Sequence, residues 1–189
     1  MRLAAEGWDA EWKTLIAIIL SARTRDETTL GVGERLFCAY PTAANLARAR
    51  ETEVAEIIRP INFFRNKTKN IISACRELVE RREGKVPHKI EELVALPGVW
   101  RKTANVFLAE YGAPAIGVDT HVAYISQKLS WTKNKDPKKI EEDLKKLFPQ
   151  EQWNNVNRSC VRFGKTHTSR REKDRLLEEI KKTARSIYQ

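Results

Sequence analysis

The chain has 189 residues, 41% of them hydrophobic, and its 35 lysines and arginines outnumber 25 acidic residues to give a formal charge of +10. That length and apolar content exclude a disordered polypeptide and suit one domain or two small lobes around a real core. The basic excess points to a polyanionic partner, because each neutralised phosphate releases counterions, although plain surface basicity gives the same count.

Helical spacing dominates from the start. The first residues are amphipathic and carry Glu6, Asp9 and Glu11, so they do not read as a secretory signal. A helix is predicted over Trp12–Ala22, and its apolar run Leu15–Leu20 is too short to span a bilayer. Helices follow over Asp26–Tyr40, Ala43–Ala49 and Glu51–Ile58. Ile71, Cys75, Leu78 and Val79 fall at i, i+4, i+7 and i+8, with Gly84 as a stop. Two short helices, around Ile90–Val94 and Lys102–Leu108, flank a Pro97-Gly98 turn. Val122, Ile125 and Leu129 form another stripe. Ile140, Leu144, Leu147 and Phe148 form the next, opened by Asp136 as a cap and Pro137 in the first turn. Leu176, Ile180, Ala184 and Ile187 form the last. No segment alternates with period two, so the fold class is all-α, with roughly ten helices joined by short loops. The polar, lysine-bearing stretch from Trp131 to Pro137 is the natural boundary between lobes. Cys38, Cys75 and Cys160 are scattered without metal-ligand spacing, and their odd number suits a reducing compartment such as the cytoplasm.

The chemistry concentrates in Leu96-Pro97-Gly98-Val99-Trp100-Arg101-Lys102 and in Val118-Asp119-Thr120-His121. A tight turn opening a helix cradles an anion, because the first helical N–H groups have no acceptor within the helix. Leu93, Leu96 and Val99 anchor the turn, and small Ala104 lets the two helices approach; this is a helix-hairpin-helix pattern that holds a DNA phosphate without reading sequence. Lys102 lies in the first turn of the second helix, where the positive end of the helix dipole disfavours an ammonium. A lysine at its reference pKa of about 10.4 is only about 0.04% neutral at pH 7, so such a push favours a nucleophilic amine. The same position suits a surface lysine that merely touches phosphate. Asp119 stands where a helix begins, as an N-cap, and a capped carboxylate is also fixed in place to stabilise positive charge at a sugar C1′ and to accept a proton. His121 is a further polar group at that helix start, a minor candidate for DNA contact.

The run from Leu96 to Val106, with Val118-Asp119-Thr120-His121, resembles the endonuclease III family within the helix-hairpin-helix-GPD superfamily of DNA glycosylases. Upstream, Leu20-Ser21-Ala22-Arg23-Thr24-Arg25-Asp26 is similar to that family's Leu-Ser-Ala-Gln-x-Thr-Asp segment. Phe63-Phe64-Arg65-Asn66-Lys67, running into Asn70-Ile71-Ile72, is similar to its loop and helix before the hairpin. The resemblance covers roughly Trp12 to Trp131, and more weakly Asn154 to Lys165. It implies a six-helix barrel over residues 17–131 with the hairpin at about 89–112, and a second lobe made of residues 1–16 and 132–189, with double-stranded DNA bound across the cleft. It implies a monomeric, bifunctional glycosylase and AP lyase of the prokaryotic nucleoid, with no membrane association. Lys102 matches the Schiff-base nucleophile and Asp119 the catalytic aspartate. The expected substrate is DNA carrying an oxidised pyrimidine or an abasic site.

The implied DNA contacts are Gly98, Val99, Trp100, Arg101, Thr103 and His121 around the hairpin, with Arg23 at the gap-filling position and Phe63 at the wedge position. Phe63 suits either a wedge or plain core, and Trp100 either a DNA contact or buried packing. Trp100 stands where the family hairpin has its second glycine; if that position needs a positive φ, an indole there is strained. The resemblance also implies a monovalent-cation position on the carbonyls of Val94, Leu96 and Val99. Endonuclease III carries a four-cysteine iron–sulfur cluster near its C-terminus, but here Thr166–Lys173 lacks cysteine, so no cluster and no other cofactor is expected. A lesion-specific variant for mispaired or deaminated bases, a non-catalytic hairpin module and a basic interaction protein remain open readings.

Overall fold

A computed structural model describes the backbone of residues 2–187 and side chains through Ala184. Eleven α-helices are formed among the described residues, with no strand. The chain divides into two compact units, one ending at Glu110 and the other starting at Tyr111.

The first unit holds α1 (Glu11–Ser21), α2 (Asp26–Ala39), α3 (Ala43–Ala47), α4 (Glu51–Ile58), α5 (Phe64–Arg82), α6 (Ile90–Val94) and α7 (Arg101–Glu110). Every residue of α1 from Thr14 to Leu20 is buried. A helix apolar all round belongs at a centre, and α1 packs against α2, α5 and α7. The stripe read from Ile71 onward extends N-terminally, so α5 buries Lys67, Thr68, Ile71, Ile72, Ala74, Cys75 and Leu78. The Thr42 hydroxyl and the Asn45 side chain cap α3 reciprocally.

The second unit holds α8 (Thr120–Lys128), α9 (Pro137–Leu147), a 3₁₀ turn (Gln150–Gln152), α10 (Trp153–Thr166) and α11 (Arg170–Ile187). Asp136 caps α9 through the Lys139 N–H, with Pro137 in its first turn as expected. The core gathers Ile116, Val118, Val122, Ile125, Ile140, Leu144, Val156, Cys160 and Leu177. Asp174 of α11 accepts from Tyr124 Oη and pairs with Lys128 Nζ at 2.8 Å, tying α11 to α8.

The compact units meet at 110/111, whereas the sequence reading sets its lobes at 1–16, 17–131 and 132–189; α8 packs on α9, α10 and α11. Residues 2–16 likewise sit in the first unit, since α1 is its centre. Helix α10 has no counterpart among the apolar stripes: its buried positions are Val156, Cys160, Val161 and Gly164, and a cysteine and a glycine give little apolar signal. The Ile187 side chain, expected on the last stripe, lies outside the described residues.

Candidate active site and nucleic-acid interface

The hairpin starts where α6 stops. Val99 N–H closes a turn onto Leu96 O at 3.1 Å. Pro97 occupies its second position and Gly98, at φ 77°, its third, the pattern of a type II turn. Glycine is required twice over at 98, because a Cβ there would lie 2.8 Å from Asn70 Cβ on α5. Leu93, Leu96 and Val99 are buried and hold the turn down, while Trp100 stands 79% exposed and Arg101 is exposed. Trp100 O accepts the Ala104 N–H at 2.9 Å, so Trp100 opens α7. The positive-φ residues do not include Trp100, so the indole carries no left-handed strain, and its exposure rules out the buried-packing alternative.

Lys102 follows in the first turn of α7, half-buried between exposed Arg101 and buried Thr103. The side chains of Thr103 and Val99, both expected at DNA, point into the core at 5% exposure each. Of the residues expected to act at the hairpin, Trp100 and Arg101 are exposed and Gly98 and Lys102 are half-buried.

A second surface of the same unit brings Arg23 and Phe63 together. The Thr24 N–H bonds to Ser21 O at 2.9 Å. Ala22, at φ −56° and ψ 116°, and Arg23, at φ 59°, then form a type II turn with arginine where glycine is usual. Phe63 also has φ 60° and is 59% exposed, so it is not core. Each left-handed non-glycine residue costs about 1–2 kcal/mol, and such strain gathers at functional sites. The Arg23 guanidinium lies over the Phe63 ring, 5.2 Å from its centroid. Asn62 locks the two loops: its N–H donates to Thr24 Oγ1 at 3.2 Å and its Nδ2 donates to Arg23 O.

Lys67 lies beneath them. Its buried ammonium donates to Leu20 O at 2.7 Å and to Ala22 O at 2.6 Å, at the C-terminal end of α1. Burial pushes its pKa down to about 8. Sequence reasoning misses this role, yet the signal is present: Lys67 continues the stripe of Ile71, Cys75 and Leu78 one turn back, and a lysine on an apolar face demands a partner.

In the second unit Asp119 caps α8, its Oδ1 accepting the Val122 N–H at 2.9 Å. Its carboxylate lies near Cys160, and burial, assisted by that negative charge, pushes the thiol up to about 12, so Cys160 is an inert packing residue. The half-buried His121 ring is set against α10: a Cβ at Gly164 would come within 2.1 Å of its Nδ1. That contact gives His121 a packing role in the second unit, beside the expected one.

Residues 16–150 match the HhH-GPD superfamily base excision DNA repair protein family. The chain is 43% identical over 155 residues to endonuclease III of Thermotoga maritima, covering 82% of this chain and 73% of that protein. It is 49% identical over 153 residues to endonuclease III of Synechocystis sp., covering 80% and 70%. This chain belongs to the HhH-GPD superfamily. Its fold superposes with a TM-score of 0.83, at 35% identity, on a trapped endonuclease III–DNA covalent intermediate with an estranged adenine, covering 87% of this chain and 78% of that one. A thermostable thymine-DNA glycosylase, 19% identical with a TM-score of 0.79 over 90% of this chain and 81% of that one, shares the fold alone.

The chain's three cysteines cannot supply four thiolates, and Cys75 and Cys160 are buried in different units while Cys38 is exposed, so the residues do not fit an iron–sulfur cluster. The carbonyls of Val94, Leu96 and Val99 are neutral oxygen donors of the kind a monovalent cation takes, and one lone pair of Leu96 O already accepts the Val99 N–H. No helix among the described residues is long and apolar enough to cross a membrane.

Proposed function

We propose that this chain is a base excision repair DNA glycosylase with AP-lyase activity, acting on double-stranded DNA that carries an oxidised pyrimidine or an abasic site. One observation carries the reading. In an HhH-GPD chain, Lys102 occupies the first turn of the helix that opens directly behind the Pro97-Gly98 phosphate turn. The turn holds backbone phosphate, with Trp100 and Arg101 exposed beside it. A base inside a duplex cannot be reached at C1′ unless its nucleotide is extruded. The neutral Lys102 Nζ then attacks C1′, and the glycosidic bond breaks with its electron pair leaving on the base, which takes up a proton. The resulting aminal opens: the C1′–O4′ bond breaks with its electron pair on O4′, O4′ takes a proton, and the amine nitrogen is left as a C1′=N Schiff base. Loss of the 2′ proton expels the 3′ phosphate and cuts the strand by β-elimination. Asp119, held by its cap bond, stabilises positive charge developing at C1′ and accepts a proton from the attacking amine. Three free cysteines fit a reducing cytoplasm, where the nucleoid offers the substrate.

Borohydride reduction on a duplex with one abasic site checks the lysine. The wild-type chain should form a covalent adduct and Lys102→Ala should form none. DNA binding without any adduct in the wild-type chain would leave a non-catalytic hairpin module instead. A panel of thymine glycol, uracil, mispaired thymine and hypoxanthine then identifies the base removed.

A further inference from the structure

The side chains of Arg23 and Phe63 present hydrogen-bond donors and no acceptor. The Arg23 guanidinium carries five N–H donors and cannot accept. The two main-chain carbonyls at the tip of its turn are already engaged: Ala22 O by the Lys67 ammonium at 2.6 Å, and Arg23 O by Asn62 Nδ2. Phe63 adds only a ring face, and the guanidinium lies over that face, which holds it at the exposed tip. Both residues are kept in left-handed backbone on the outside of the unit. An extruding enzyme needs a filler for the gap, and the Arg23 side chain can donate hydrogen bonds to the base left behind but cannot accept one from it.

We infer that Arg23 is a specificity-determining residue that discriminates against guanine as the base opposite the extruded nucleotide. The inference rests on the glycosylase and lyase reading above. A base left unpaired in the stack turns its pairing edge to the gap. Cytosine offers two adjacent acceptors there, O2 and N3, and takes a guanidinium in two bonds. Adenine offers N1. Guanine offers only O6 and opposes the guanidinium with N1–H and N2–H donors. Its acceptor pair O6 and N7 lies on the major-groove edge, away from the pairing face. Among oxidised pyrimidines this selects products of thymine, which face adenine, over products of cytosine, which face guanine.

The test uses four duplexes with one abasic site opposite adenine, cytosine, guanine or thymine, and measures single-turnover strand cleavage and borohydride trapping. Wild-type rates should be highest opposite cytosine and about tenfold lower opposite guanine than opposite adenine, the discrimination of one good base contact. Arg23→Gln restores an acceptor and should bring the four rates within about threefold. Arg23→Gly, which suits φ 59° and removes the side chain without strain, should flatten them as well. Equal wild-type rates, a guanine optimum, or a ranking that survives in both variants overturns the assignment while leaving the lyase intact. Absence of cleavage and adduct opposite every base overturns the lyase reading, and this inference with it.

Discussion

Asp119 caps a helix and, in the proposed mechanism, also supports charge at C1′; a single substitution separates the two. Its Oδ1 accepts the Val122 N–H at 2.9 Å and fixes the start of α8. An asparagine side chain caps almost as well as an aspartate, so the helix start survives the change. It cannot carry the negative charge that a developing oxocarbenium or an attacking amine requires. Asp119→Asn should therefore lose about 10²-fold or more in single-turnover rate, while its melting temperature and abasic-duplex affinity stay close to wild type. Unchanged turnover would reduce Asp119 to a cap. Gly98 and Trp100 show the opposite relation between residue and backbone. Gly98 sits at φ 77° with Asn70 against its Cα, and no other residue fits there. Trp100, one step past Val99, has no positive φ, so a bulky side chain is tolerated there, and it stands exposed.

At the scale of elements, the wedge depends on a clasp between α1 and α5. Lys67 closes the C-terminal end of α1 from the fourth residue of α5, and removing its ammonium leaves Leu20 O and Ala22 O short of donors in a buried place. Burial sets the sign of its pH dependence. The folded pKa of about 8 lies below the ordinary 10.5, so the unfolded chain binds more protons between those values and stability rises with pH. From pH 8 to 9 the gain from Lys67 is about 1 kcal/mol. Cys75 and Cys160, pushed up by burial to about 12, act in the reverse sense, since the unfolded chain loses their protons first. The comparison that isolates the lysine is denaturant unfolding of wild type and Lys67→Met at both pH values. Wild type should gain about 1 kcal/mol more than the variant, and parallel behaviour would mean that the clasp stays fully protonated. Such elements differ in how far sequence shows them. Helix α4 is found at Glu51–Ile58 as read, and α9 at the start Asp136 and Pro137 mark, because caps and large apolar stripes are local signals. Helix α10 hides because Cys160 and Gly164 do the packing. The hairpin and Lys102 are legible from a short contiguous motif. The Asn62 and Lys67 bonds are not, because they join residues 38 to 47 positions apart and three of the four end on main-chain carbonyls that have no sequence identity.

For the whole molecule, charge is distributed unevenly between the two units. Residues 1–110 carry 18 lysines and arginines against 15 acidic residues, whereas 111–189 carry 17 against 10. The excess is thus three in the unit that holds the hairpin and wedge, and seven in the unit that holds Asp119. Sequence alone shows only the total, because it places the boundary at the lysine-bearing stretch after Trp131, whereas α8 belongs with the later helices. On the proposed reading, the hairpin, the Arg23–Phe63 tip and Lys102 belong to the first unit, and the larger positive excess that attracts phosphate belongs to the second. Affinity for an abasic duplex should fall linearly in a log–log plot against salt. With about six phosphate contacts the slope is near −5, so raising salt from about 50 to 200 mM weakens binding about 10³-fold. Lys133, Lys135 and Lys138, at the start of α9, are exposed, and replacing them tests how much of that slope this stretch carries. Replacing all three with glutamine should make the slope shallower by about one for each phosphate that is no longer neutralised. Borohydride adduct at low salt and saturating enzyme should persist, because Lys102 is untouched. A slope unchanged by the triple variant would move the phosphate contacts elsewhere on the second unit, and a flat wild-type response would remove DNA as the partner altogether.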